Sequence, residues 1–141
     1  MTGPSPHLSF EELRCHDAAR TPYPEEFIRD GRLAVLARAF EALRHKAGDR
    51  PLVVLSAYRT KAHNASIPGA ARNSQHVHGR ALDLRPPSGM TPAQLGALAR
   101  QISDIRGLAV YPTFLHIDVR PSPRLVVWTG RRLDADRSAQ P

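Results

Sequence analysis

Gly107-Leu-Ala-Val-Tyr-Pro-Thr-Phe-Leu-His-Ile-Asp-Val-Arg-Pro-Ser-Pro-Arg-Leu-Val-Val-Trp128 is the stretch that decides the fold. Gly107 to Tyr111, Phe114 to Arg120 and Leu125 to Trp128 are short apolar runs parted by proline-bearing turns, the pattern of strands with tight connections. Working upstream, Arg80 to Arg85 predicts a further strand, and Pro51-Leu-Val-Val-Leu-Ser56 a buried one. Helical signals fall mostly before the strands. Ser9-Phe-Glu-Glu12 fits a capping box opening a short helix. Pro24 with Glu25 and Glu26 opens another, carrying Leu33, Leu36, Phe40 and Leu43 on one apolar stripe and ending near Gly48. Thr91-Pro-Ala-Gln94 is a second capping box, followed by the stripe Leu95, Leu98, Ile102 and Ile105. Helices first and strands later, with short connections, predict an α+β domain: an antiparallel sheet with helices packed on one face.

Residues 9–130 are expected to form the domain, with a flexible lead-in over 1–8 and a flexible tail over 131–141. Tyr58 to Arg80 has little apolar periodicity and is rich in His, Asn, Ser and Gly; a loop of that length inside a compact domain points to function. No internal repeat is present.

The chain has 141 residues, 41% of them hydrophobic and 23% charged, which suits one globular domain with a real core. No apolar run approaches the roughly 18 residues of a membrane span. The start, MTGPSPHLSF, shows no secretory signal, so the chain is expected in the cytoplasm, with release to the cell wall by another route in the manner of phage lysis. Its single cysteine, Cys15, excludes a disulfide framework and a multi-cysteine zinc finger. The formal charge of +7 implies an anionic partner. Scattered arginines with no interleaved aromatics argue against nucleic acid.

Within the long loop and the strand after it stands Ser74-Gln-His76-Val-His78-Gly79-Arg-Ala81-Leu-Asp83, and later His116-Ile-Asp118. Two imidazoles and a carboxylate can bind zinc with a fourth position left for water, the pattern of a catalytic site. His76 would come from the loop, Asp83 from the strand after it, and His116 from a neighbouring strand. Between residues 50 and 132 the only carboxylates are Asp83, Asp104 and Asp118, against twelve Lys and Arg. Two of the three fall in the proposed site, where a metal ion would hold them ionised.

Ser-x-His-x-x-Gly-x-Ala-x-Asp followed by His-x-Asp resembles the zinc D-alanyl-D-alanine carboxypeptidases and related peptidoglycan peptidases of the M15 type, especially a small phage and bacterial branch ending near Phe-Val-His-Val-Asp-Val-Arg. The likeness covers most of the chain. Leu8 to Asp17 resembles that branch's opening, and Ser56-Ala-Tyr-Arg59 its Ser-Gly-Tyr-Arg; His63-Asn64 and Gly69-Ala70 resemble its connecting loop, and Tyr111-Pro112 through Arg120 and Trp128 its end.

The resemblance implies a fold like that of the hedgehog and D-Ala-D-Ala peptidase domains. It implies Zn2+ held by His76, Asp83 and His116, with Arg59 and Ser74 on the substrate, a peptidoglycan stem peptide. The metal would activate water for attack on an amide next to a D-amino acid, and Arg59 would help hold the oxyanion. A monomer is expected. Many relatives carry an acid three residues before the last histidine, where this chain has Thr113, which cannot act as a base at neutral pH. Asp118, on the same face of an extended strand as His116, is the candidate base or water orienter, with His78 second. It is equally suited to hold a ligand or an arginine in place. Ala57 and Ala109 stand where glycine is usual, and Pro68 precedes Gly69. Together with Thr113 these departures motivate a second expectation, a zinc-binding module that binds wall peptides without cleaving them. Trp128 is expected to pack, or to line the cleft.

Overall fold

The computed structural model describes residues 2–130. Its elements run α1 (Glu25–Arg29), α2 (Arg32–Lys46), β1 (Val53–Ser56), α3 (Lys61–Ser66), β2 (Ala81–Arg85), α4 (Pro92–Ala99), β3 (Gly107–Val110), β4 (Leu115–Asp118) and β5 (Val126–Thr129). The five strands form one sheet in the order β1-β2-β4-β3-β5, with the helices packed on one face, as an α+β domain requires. Among the described residues no helix is long and apolar enough to cross a membrane.

Three of the four strand pairings are antiparallel, as expected. The fourth, β3 with β5, is parallel, so the expected all-antiparallel sheet is corrected to a mixed one. After β4, residues 119–125 carry the chain back across β3, and β5 runs alongside it in the same direction.

Alternation along the strands gives the two faces different work. Leu82, Leu84, Leu108, Leu115 and Ile117 join Leu33, Leu36, Phe40 and Leu43 of α2 and Leu95 of α4 in the main core. The opposite face carries a small apolar cluster, Ala109, Tyr111 and Phe114 with Leu55 and Trp128 against it, and the polar residues of the motif.

Both capping boxes form, with different outcomes. Thr91 Oγ1 accepts from Gln94 N–H at 3.0 Å, Gln94 returns the bond, and α4 follows. That helix stops at Ala99, and Ile102 and Ile105 reach the core from the turns beyond it. Ser9 and Glu12 make the same reciprocal bonds at 3.1 and 2.9 Å, but only a turn follows, not the expected helix. The helix expected from Pro24 to Gly48 is two helices, broken at Asp30-Gly31, where Gly31 takes φ 93°.

The strand at 51–56 is real but lies at the sheet edge rather than buried, with Val53 42% exposed. The long loop contains α3, whose Thr60 cap accepts from His63 N–H at 3.1 Å. In the lead-in, Leu8 is buried and His7 donates its backbone N–H to Glu41 at 2.8 Å. The expected tail, 131–141, lies outside the described residues.

Candidate metal centre

The β2–β4 register sets Ala81 opposite Asp118 and Asp83 opposite His116. Because side chains two apart share a face, Ala-x-Asp on one strand and His-x-Asp on the next bring three polar side chains and one small one onto a single patch. β3 completes the frame with small residues, Gly107 opposite Asp118 and Ala109 opposite His116. A Cβ at Gly107 would overlap the Asp118 carboxylate, so glycine is required there by contact rather than by backbone conformation.

His76 arrives from the turn before β2. Its backbone N–H donates to Ser74 Oγ at 3.1 Å, and its carbonyl accepts from Gly79 N–H at 3.2 Å and from Arg59 N–H at 3.1 Å. Gly79 has φ 69°, and a Cβ there would stand 2.6 Å from Phe27 and 2.8 Å from the Tyr23 hydroxyl. That hydroxyl donates to the Gly79 carbonyl at 2.6 Å. The motif glycine thus ties the ligand loop to the α1 side of the molecule.

His76, Asp83 and His116 are all buried, and one ligand atom from each lies within 4.8 Å of the others. His76 Nε2 is 3.2 Å and His116 Nδ1 3.0 Å from Asp83 Oδ1. Ligand atoms about 2.1 Å from one ion in tetrahedral directions would be roughly 3.4 Å apart, so the spacing suits a shared cation.

The outer partners orient both rings. His76 Nδ1–H donates to the Ala57 carbonyl at 2.7 Å, which turns the Nε2 lone pair toward Asp83. His116 Nε2–H donates to Asp118 Oδ2 at 2.7 Å, which turns Nδ1 toward Asp83. Asp118 is itself gripped by Arg120, whose Nε and Nη2 donate to its two oxygens at 2.8 Å each. The Arg120 guanidinium also lies over Trp128, 5.1 Å from the ring centroid, and Trp128 packs on His116 at 5.2 Å. Such carboxylate- and carbonyl-backed imidazoles are the usual outer shell of a metal ligand set.

The electrostatics agree. Burial, reinforced by the Arg59 charge, pushes the His76 pKa down, so its ring is a neutral donor. For His116 burial acts downward too, but hydrogen bonds to Asp118 and Asp83 outweigh it and raise the pKa to about 9. Asp83 is held well below the usual carboxylate range because the neighbouring imidazoles outweigh the effect of burial. Asp118 is held low against burial by Arg120 and His116. Asp83 Oδ2 is buried and accepts no hydrogen bond; its neighbour is Arg59 Nη2 at 3.5 Å. Arg59 offsets part of the cost of burying that oxygen, but Asp83 Oδ1 faces the bare Nε2 of His76, two acceptors 3.2 Å apart that a shared cation would reconcile. The donor set therefore fits a metal.

Arg59 is almost fully buried. The bulge between Val54 and Ser56 precedes it, its Nε donates to Ser56 Oγ at 3.3 Å, and its Nη1 donates to Asn64 Oδ1 at 3.2 Å. Ser74, expected on the substrate, is buried, with its hydroxyl accepting from the His76 backbone. Asp118 stands behind His116, on the far side of the ring from Asp83. His78 lies outside the triad; its Nε2 pairs with Asn73 Oδ1 at 2.6 Å. Thr113 is exposed in the β3–β4 turn. Asp118 holding an arginine, one of the expected alternatives, is realised with Arg120. The sequence reading missed what Gly107 and the Ala57 carbonyl do, because both acquire their roles only from strand pairing and loop path.

The description Peptidase M15 belongs to a family model that matches residues 6–118, a span holding the whole triad, Arg59 and Asp118. No curated protein matches the chain. With most of the chain covered, and with the matched residues closing into a buried two-histidine, one-aspartate ligand set, this chain belongs to the M15 peptidase family.

Proposed function

We propose that this chain is a zinc peptidase that hydrolyses an amide next to a D-amino acid in peptidoglycan stem peptides, by carboxypeptidase or endopeptidase action. The observation that carries the reading is the triad itself, three buried ligand atoms within 4.8 Å with both imidazoles oriented from behind. Held by His76, Asp83 and His116, zinc would supply Lewis acidity and a water activated at neutral pH.

The chain's own residues do the rest. Arg59, a planar and always charged donor beside Asp83, suits a carboxylate or the oxyanion that develops at the attacked carbonyl. Ser74 holds the ligand loop through the His76 N–H, and its burial suits that positioning task better than contact with substrate. Asp118 accepts four hydrogen bonds, from His116 Nε2, Arg120 Nε and Nη2, and the Arg120 backbone N–H. That uses the roughly four lone-pair sites of a carboxylate. The geometry favours Asp118 as the positioning residue for His116 over Asp118 as proton acceptor.

The test is mass spectrometry of purified muropeptides after incubation with zinc-loaded protein, against a chelator-treated blank. Zinc-dependent loss of a terminal alanine identifies a carboxypeptidase, and a cut within the stem or cross-bridge an endopeptidase. No product with zinc bound would select the non-cleaving wall-binding module, the reading that Thr113 favours.

A further inference from the structure

A groove of about 760 Å³ lies between α3 and the ligand loop, lined among others by Lys61, Asn64, Ala65, Arg72, Val77 and His78. It shares a wall with the metal centre. Asn64 Oδ1 accepts from Arg59, which stands beside Asp83, and Val77 follows the ligand His76 directly. The wall is built by internal bonds: Asn64 Nδ2 donates to the Ala71 carbonyl at 2.8 Å, and Asn73 pairs with His78. Two lining groups are left out of that network. Lys61 and Arg72 are exposed, and neither enters a hydrogen bond or ion pair among the described residues. None of the lining residues is acidic, and residues 59–82 contain four Lys and Arg and no Asp or Glu. A concave site with an aliphatic floor and two uncommitted cations selects an anion on a short apolar stem.

We infer that this groove is a specificity subsite in which Lys61 and Arg72 bind a free carboxylate carried on an aliphatic side chain of the substrate peptide, away from the scissile amide. The inference rests on the reading of the chain as a peptidase of wall peptides and names the acidic class of peptide it prefers. Arg72 can take a carboxylate with its planar fork, while Lys61 adds a mobile point charge. Ala65 and Val77 would cover the stem that carries it.

The experiment uses two synthetic D-alanyl-D-alanine peptides that differ only in a side-chain carboxylate or its carboxamide. Their binding to metal-free protein is measured by fluorescence anisotropy, and their relative kcat/KM with the zinc-loaded protein. Two partly exposed ion pairs predict about a tenfold preference for the carboxylate peptide in both readouts. The double variant K61Q/R72Q should bring that ratio to about one, with zinc content and thermal midpoint unchanged, while K61R and R72K should keep it.

Equal handling of the two peptides by the wild type, or a preference that survives K61Q/R72Q, would overturn the inference. So would a glycerol-phosphate oligomer that binds through Lys61 and Arg72 when the acidic peptide does not, which would make the groove a contact for a wall polyphosphate. Carboxylate-dependent binding without cleavage would leave the subsite standing and remove the peptidase reading. Cleavage without carboxylate preference would do the reverse.

Discussion

At the scale of the residue, the centre is two imidazoles pinned from behind and one carboxylate between them. His116 is the most revealing, since its Nε2–H is committed to Asp118 and its Nδ1 faces Asp83. Replacing Asp118 with Asn should weaken zinc affinity by about 10- to 100-fold, read by competition with a chelator, while the three ligands stay in place. Lost turnover with unchanged zinc affinity would instead make Asp118 the proton acceptor. A pH dependence follows from the same contacts. Without metal, the His116 pKa is raised from 6.5 to about 9, so its stabilising contribution is complete below 6.5 and lost as pH climbs through 9. Asp83 and Asp118 are lowered from 3.8, so their contributions are complete above 3.8 and lost as pH falls further. His76, lowered from 6.5, acts in the opposite sense to His116, its contribution complete above 6.5 and lost as pH falls below that value. Metal-free protein should therefore resist urea best near pH 6.5 and weaken on either side. Zinc displaces the Nδ1 proton, so the alkaline weakening should disappear in the loaded protein. The ligands themselves were legible in the sequence through the motif of two imidazoles and a carboxylate and the resemblance it carries, although they lie on a loop and two different strands. Asp118 was legible as a neighbour of His116, but its task depends on Arg120 saturating it, which spacing alone does not convey.

Elements place these residues, and glycine and alanine matter as much as the ligands. Gly107 opposite Asp118 leaves space for the carboxylate. Gly107→Ala should lower stability by about 1–3 kcal/mol through overpacking and weaken zinc binding along with it. Thr91→Ala, which removes the α4 cap on the other side of the sheet, should lower stability by about 1 kcal/mol and leave zinc affinity alone. Urea melts with and without zinc separate the two effects. Helix ends were only partly legible. Thr91 and Ser9 share one capping pattern, yet Thr91 is followed by a run that buries Leu95 and Ala99, whereas the chain after Ser9 turns within a few residues to bury Leu13 and Cys15. The apolar stripe from Leu33 onward hid the break at Gly31, since a stripe reports which face is buried and not where the backbone leaves the helix. The parallel pairing of β5 was illegible for a related reason. A short apolar run specifies a strand, but its direction depends on how the preceding loop crosses β3.

For the molecule as a whole, the sheet divides labour, with an apolar core under the helices on one face and charge and chemistry on the other. The ligands come together only in the folded chain, so zinc bound there should add to global stability. At a free concentration of about 100 times Kd the gain is about 2.7 kcal/mol, seen as a higher thermal midpoint that a chelator reverses. The +7 charge should favour anionic wall polymers, and raising salt from low to physiological strength should weaken sedimentation with cell walls. Composition pointed to an anionic partner but not to its place; the groove beside α3 emerged only once the long loop had folded.

The most direct measurement of the central claim is anomalous diffraction at the zinc edge from crystals of the loaded protein. One peak is expected, about 2.0–2.2 Å from His76 Nε2, His116 Nδ1 and an oxygen of Asp83, with Asp118 still on His116 Nε2. A peak held by other residues, or a His116 ring turned so that Nε2 meets the metal and Asp118 is released, would contradict the account.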